Sequence, residues 1–120
     1  YGNLGNDTVV GGDAADWVRG GQGDDSVSGG AGDDLIFGDR GNDTISGGAG
    51  ADEFRSFGEA GIDRLVDFNR AEGDRVVLDS GTSYSVAQAG ADVVVSMSGG
   101  GQVILVGVSL ADLAPGWIVA

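Results

Sequence analysis

Six aspartates, Asp7, Asp16, Asp25, Asp34, Asp43 and Asp52, recur at intervals of nine residues with no insertion or deletion. Each follows a glycine-rich stretch. Glycine turns bring backbone carbonyls close to one another at little steric cost. Carboxylates and carbonyls at a fixed pitch are the ligand set of a hard, oxygen-seeking cation. The chain has no cysteine and no histidine, which excludes thiolate and imidazole metal sites and any disulfide framework. It has no lysine either, so the usual nitrogen bases and the thiol nucleophile are missing. The carboxylate pairs are explained by the period itself, and no G-x-x-x-x-G-K-[ST] phosphate loop occurs. The residues therefore point to cation binding and to no catalytic role of their own.

The elements that position these aspartates follow from the same period. The units run 2–10, 11–19, 20–28, 29–37, 38–46 and 47–55, with the pattern G-G-x-G-x-D-x-U-x, where U is apolar. Position eight is Val9, Val18, Val27, Ile36, Ile45 and Phe54. Each unit reads as a turn followed by a strand of three residues. Alternation along the strand points position eight inward and positions seven and nine outward. Two units make one coil, so residue n stacks on residue n+18, about 4.8 Å away across two parallel sheets. The aspartates then fall into an odd column (Asp7, Asp25, Asp43) and an even column (Asp16, Asp34, Asp52). Like charges at that spacing repel unless a cation neutralises them.

These units resemble the calcium-binding nonapeptide of the RTX family. The resemblance implies an all-β fold: a right-handed parallel β-roll over residues 1–55, with a small antiparallel β cap in residues 56–120. It implies ions between successive coils, held by carbonyls of positions two and four and the Asp of one turn, with carbonyls of positions one and three and the Asp of the turn above. Carried over by position, one ion lies between Asn3, Gly5, Asp7 and Gly20, Gln22, Asp25. A second lies between Gly12, Ala14, Asp16 and Gly29, Ala31, Asp34. The third joins Gly21, Gly23, Asp25 to Gly38, Arg40, Asp43, and the fourth joins Gly30, Gly32, Asp34 to Gly47, Ala49, Asp52. One or two more sit where Asp43 and Asp52 meet the next segment, for about four to six Ca2+ in all. There Asp63-x-x-x-Asp67-Phe68 resembles the family's closing element, which makes Asp63 and Asp67 candidate ligands. Ala14 stands where the pattern has glycine. If that position is left-handed, alanine is strained by about 1 kcal/mol. Asn3 and Asp39 replace position-two glycines and tolerate left-handed φ better than most residues.

The formal net charge is −13, of which −8 falls in the first 55 residues. That balance disfavours nucleic acid and anionic membrane, both of which need a basic patch. No apolar run approaches the roughly 18 residues of a membrane span. The chain starts at Tyr1 already in frame, and reads as the C-terminal piece of something longer. The period breaks at Ser56-Phe57 and returns once at 58–66. Beyond it, strands are expected at 75–78, 84–87 and 117–119, and a hairpin at 92–98 and 102–106 around three glycines. Ser109 is expected to cap one helical turn through Leu113. The 107–113 segment and the apolar tail resemble the ends of proteins exported by bacterial type I secretion. The family reading is thus a secreted, extracellular module that folds on calcium after export and stabilises an upstream domain, a hydrolase or a polysaccharide-modifying enzyme. The competing reading is a structural or carbohydrate-binding module of an adhesin or surface layer. It draws on an outward strip of Trp17, Leu35 and Phe37, which either meets a partner such as a polysaccharide or is covered by the C-terminal half or by an upstream domain.

Overall fold

The computed structural model describes residues 4–56, 61–113 and 116–119. The described residues are all-β apart from two short 3-10 turns, Arg70–Glu72 and Leu110–Asp112. Odd-numbered units supply β1 (Thr8–Gly12), β3 (Ser26–Gly30) and β5 (Thr44–Ser46), and even-numbered units supply β2 (Trp17–Arg19), β4 (Leu35–Phe37) and β6 (Glu53–Ser56). All pair in parallel, and the offset is eighteen residues: Val9 on Val27 on Ile45, and Val18 on Ile36 on Phe54. The result is the β-roll that the period predicts.

The roll does not stop where the repeats stop. β7 (Ile62–Leu65) and β11 (Gln102–Leu105) extend the odd sheet in parallel, and β8 (Arg75–Leu78) and β12 (Ile118–Val119) extend the even one. Among the described residues the antiparallel pairings are those of β10 (Asp92–Met97) with β11 and with β9 (Tyr84–Ala89), at the end of the odd sheet. The stacking offset changes at this boundary. Leu65 sits on Ile45 at twenty residues, and Val76 sits on Phe54 at twenty-two.

The position-eight side chains form the core with Leu65, Val76, Leu78, Val93, Val95, Val103 and Leu105. Burial of such side chains stabilises by about 1.5–3 kcal/mol each. Phe68 and Trp117 close the far end of the even side; Phe68 packs on Phe54 at 5.9 Å between ring centroids and on Trp117 at 6.4 Å. At the opposite end Val9 is only partly buried. The expected turn after Ser109 is present, but the Ser109 side chain makes no capping hydrogen bond.

Candidate metal centre

Every aspartate of the two columns is wired to the coil above. The backbone N–H of Asp7 donates to Oδ1 of Asp25 at 2.8 Å, that of Asp25 to Asp43 at 2.9 Å, and that of Asp43 to Asp63 at 3.3 Å. In the even column the N–H of Asp16 donates to Asp34 at 2.9 Å, that of Asp34 to Asp52 at 3.0 Å, and that of Asp52 to Asp74 at 2.9 Å. The aspartate carbonyls accept from the position-seven N–H overhead, as in Ser26 to Asp7 and Leu35 to Asp16, both 2.8 Å. The columns are therefore continuous hydrogen-bonded files, each lengthened by one residue from outside the array, Asp63 and Asp74.

One oxygen per repeat aspartate is left out of this wiring. Oδ2 of Asp7, Asp16, Asp25, Asp34, Asp43 and Asp52 is buried with no hydrogen-bond partner. A buried carboxylate oxygen without a donor carries an uncompensated desolvation cost. Its surroundings are carbonyls. A Cβ placed on Gly20 would lie 2.7 Å from Asp25 Oδ2 and 2.9 Å from the Gly38 carbonyl; on Gly29 it would lie 2.5 Å from Asp34 Oδ2 and 2.9 Å from the Gly47 carbonyl. On Gly11 it would meet Asp16 Oδ2 at 3.0 Å and the Gly29 carbonyl at 2.5 Å. Position one is thus glycine because any side chain would fill the space that carboxylate and carbonyl share. Among the described residues no three acidic side chains converge on one point. A cation in these cradles takes most of its oxygens from backbone, as calcium does and zinc does not. The donor set fits calcium.

The turns deliver the remaining groups unevenly. Position two is left-handed at Gly12, Gly21, Gly30 and Gly48, and at Asp39, whose φ is 66°. Position four is left-handed at Gly5, Gly23, Gly32, Gly41 and Gly50. Ala14 is not left-handed, so the strain expected there is avoided by a different turn. The difference shows overhead: a Cβ on Gly32 would meet the Ala14 carbonyl carbon at 2.8 Å, whereas the same atom on Gly23 or Gly41 would first meet a carbonyl oxygen. The carbonyls of Gly12 and Arg40 already accept N–H groups from Ala31 at 2.9 Å and Gly23 at 3.0 Å, leaving each one lone pair. Gly5, Gly20, Gly21, Gln22, Gly23, Ala31, Gly47 and Ala49 lie between the strands beside the columns, and Gly30 ends β3; Asn3 lies outside the described residues, as do 57–60 of the degenerate repeat. Asp67 stands apart from both files. It accepts from Ser46 Oγ at 2.7 Å and from the N–H groups of Gly47 at 2.9 Å and Gly48 at 2.8 Å.

The electrostatics agree with the wiring. Burial, opposed by the backbone bond of Asp25, raises the Asp43 carboxyl to about 6. Burial and then the Asp43 charge raise Asp63 to about 8. Burial, with the charges of Asp74, Asp34 and Asp67 adding to it, raises Asp52 to about 7. Asp34 and Asp74 are raised for the same first reason. Asp34, Asp43, Asp52, Asp63 and Asp74 are thus pushed toward their neutral forms, first by burial and then by the carboxylates beside them.

Two features went unread in the sequence. Asp74 is one, fully buried and in register over Asp52; its signal was the D-x-U ending in Gly73-Asp74-Arg75-Val76. The other is a second ladder at position five. Asn6 Oδ1 accepts the Asp24 N–H at 2.9 Å, Asp24 that of Asn42 at 2.8 Å, and Asn42 that of Ile62 at 2.9 Å. On the outer even face Trp17 is 80% exposed, so the C-terminal half does not cover it. It stacks on the half-buried Leu35 and borders an open groove of about 300 Å3 with Asp33 and Glu53. Phe37 lies beneath the Arg19 guanidinium at 4.9 Å, and Arg19 forks onto Asp39 at 2.7 and 3.0 Å.

A parallel roll whose turns hold two files of buried, half-satisfied aspartates is a cation-binding repeat module. The family model of the RTX calcium-binding nonapeptide repeat (4 copies) matches residues 1–36, 20–54 and 28–65, and the chain belongs to that family. No curated protein sequence matches it significantly. Among solved structures it is similar to the AlgE6R3 subunit of the Azotobacter vinelandii mannuronan C5-epimerase, at 30% identity and TM-score 0.75 over 99% of this chain and 80% of that one. The AlgE6R2 subunit of the same enzyme is 26% identical, TM-score 0.59, over 92% of this chain and 91% of that one. The extracellular lipase LipA of Serratia marcescens is 28% identical, TM-score 0.60, over 92% of this chain but only 20% of the lipase. This chain is accordingly a calcium-binding module of structural rather than catalytic type. Among the described residues no helix is long and apolar enough to cross a membrane.

Proposed function

We propose that the chain is a calcium-triggered folding module of an exported bacterial protein, secreted by the type I route and working outside the cell. The six buried Oδ2 atoms without a donor carry the reading. They belong to the aspartates assigned as ligands of four inter-coil ions, with one or two more above Asp43 and Asp52. Carbonyls of positions one to four complete each set, and Asp63 closes the odd file. Bound calcium supplies the positive charge that the folded carboxylates lack. At low calcium the charge of −13 opposes compaction. In the millimolar calcium outside, ion binding becomes folding free energy. Asp67 holds the Gly47–Gly48 turn in place through its three donors. The upstream partner is a domain of the same polypeptide; the resemblance to modules of an epimerase and a lipase favours an extracellular enzyme acting on a polysaccharide or an ester. Circular dichroism decides the folding step: a largely disordered chain in chelator and β signal at roughly millimolar calcium are expected. Equal β content in both would sink it.

The exposure of Trp17 favours a second reading, in which the even face of the module stacks on a polysaccharide. A glycan array with the unaltered chain and Trp17→Ala tests it. Loss of retained glycan in the variant is the expected result, and indifference to the substitution rejects it.

A further inference from the structure

We propose that the even column ends in a hydrogen-bonded plug built by Asn69 and Asp74, so that Asp52 is the last aspartate of that column to hold a cation. The proposal rests on the calcium reading above, narrows its one or two extra ions to the one above Asp43, and assigns a role to a turn that lies outside the repeats.

Register defines the plug. Phe54 pairs with Val76, an offset of twenty-two residues. The same offset sets Asp74 over Asp52, position six of the unit below, and Asn69 precedes Asp74 by five residues, as position one precedes position six in a repeat. Asp74 keeps half of the repeat chemistry, since its Oδ1 accepts the Asp52 N–H at 2.9 Å. Its other oxygen differs from all six repeat aspartates. Asp74 Oδ2 accepts the Asn69 N–H at 2.8 Å, where Oδ2 of the others has no partner. The 3-10 turn at Arg70–Glu72 makes this possible by folding Asn69 back over Asp74.

The Asn69 carbonyl is engaged as well. It accepts from Glu72 N at 3.2 Å and Asp74 N at 3.3 Å. Arg70 Nη1 donates to the Asp74 carbonyl at 3.3 Å. In the units below, a carboxylate oxygen and a position-one carbonyl share an open cradle. Here the Asn69 N–H points into the Asp74 carboxylate, and the N–H groups of Glu72 and Asp74 point into the Asn69 carbonyl. A donor hydrogen on that lone pair repels a cation and removes the oxygen from coordination. A solenoid needs such an ending, because a further half-built site would leave a buried charge uncovered.

The test counts calcium per chain by equilibrium dialysis and follows amide exchange by NMR in saturating calcium. Asp52→Asn is expected to bind one ion fewer than the unaltered chain. Asp74→Asn is expected to bind the same number, because its amide oxygen still accepts the Asp52 N–H while its NH2 now faces the Asn69 N–H. Exchange at the Asn69 amide should then speed up tenfold or more, a factor equivalent to about 1.4 kcal/mol. Loss of one ion in Asp74→Asn, or an Asn69 amide that exchanges no faster than before, overturns the plug. Should Asp74→Asn fail to fold, the unaltered chain decides: an Asn69 amide protected like those of the β-strands supports the plug, and one exchanging like an open loop overturns it. A chain that binds no calcium at all would reject the underlying reading instead, a result distinct from the loss of a single ion.

Discussion

The two aspartate files share their buried, donor-free Oδ2 oxygens and their core but not their turns. In the odd file, position four is a left-handed glycine at Gly5, Gly23 and Gly41, and position five carries Asn6, Asp24 and Asn42, each bonded to the coil above. In the even file, position four begins with Ala14, and position five is Ala15, Asp33 and Ala51, of which only Asp33 has an acceptor side chain; it takes the Ala51 N–H at 2.8 Å. The even side makes up contacts on its outer face instead. Arg19 pairs with Asp39, and Glu53 bridges Arg55 at 2.8 Å and Arg75 at 2.5 Å. Burial raises the Glu53 carboxyl, but those two arginines outweigh it and hold the group below its usual range. Exposed ion pairs contribute about 0–1 kcal/mol each, no more than the neutral hydrogen bonds they replace. What both files keep is what a cation needs; what differs is how stiffly each turn is held. The odd file should be the more rigid of the two.

The largest effect expected is one that ignores the difference between files. Asp43, Asp52 and Asp63 are raised from 3.8 to about 6, 7 and 8 in the folded chain. A raised folded pKa means that the folded state binds more protons than the unfolded one between those values. Without calcium, stability from these groups is complete below about pH 3.8 and is lost as pH climbs through 6 to 8. In chelator, β content by circular dichroism should therefore be higher at about pH 4.5 than at about pH 8.5. A chelated chain with more structure at the higher pH contradicts the raised carboxyls of Asp43, Asp52 and Asp63.

The next effect separates the interior of a file from its open end. Asp43→Ala removes the acceptor of the Asp25 N–H together with a candidate ligand, a change expected to cost about 3–5 kcal/mol in saturating calcium. Asp16→Ala, in the first described coil and beside the altered Ala14 turn, should cost less, about 1–2 kcal/mol. Urea unfolding in calcium measures both. Equal losses would mean that the ends and the middle of the roll are held alike. A smaller step sharpens the contrast of turns. Gly41 has φ of 123°, and a Cβ there would run into the Gly23 carbonyl. Gly41→Ala should cost about 2–3 kcal/mol through strain and backbone contact together. At Gly5 a Cβ meets nothing within 4 Å, so Gly5→Ala should cost only the backbone term, about 1 kcal/mol.

Much of this was legible before any coordinates. Period nine with an apolar eighth residue requires the inward row, and pairing units into coils requires the offset of eighteen that Val18, Ile36 and Phe54 display. Where the period failed, so did the register. Extra residues before Ile62 and before Arg75 shift the offset to twenty and twenty-two, and spacing alone could not place Asp74 above Asp52. The expected antiparallel cap is present in β9 and β10, and the parallel roll runs on further than the period announces. β8 and β12 carry no glycine signature of the repeat, yet their apolar residues continue the even row in parallel. The position-five ladder was hidden because Asn and Asp are common turn residues, and only the stacked geometry shows that each bonds the next coil.

The smallest effect expected is a gain. The odd file's turn chemistry can be written into the even file by Ala14→Gly with Ala15→Asn. Glycine at 14 permits the left-handed turn that its counterparts Gly5 and Gly23 adopt. Asparagine at 15 offers Asp33 the acceptor that Asn6 offers Asp24 at 2.9 Å. One added neutral hydrogen bond contributes about 0.5–1.5 kcal/mol, and the extra backbone freedom of glycine in the unfolded chain offsets up to about 1 kcal/mol of it. Ala15→Asn alone therefore serves as the control, because without the altered turn its side chain is not aimed at Asp33. A double variant more stable in calcium than the sum of the two single effects, by thermal melting, locates the difference between the files in this turn. A double variant that merely sums the two single effects places that difference elsewhere, in the apolar and ion-paired outer face around Trp17 and Glu53.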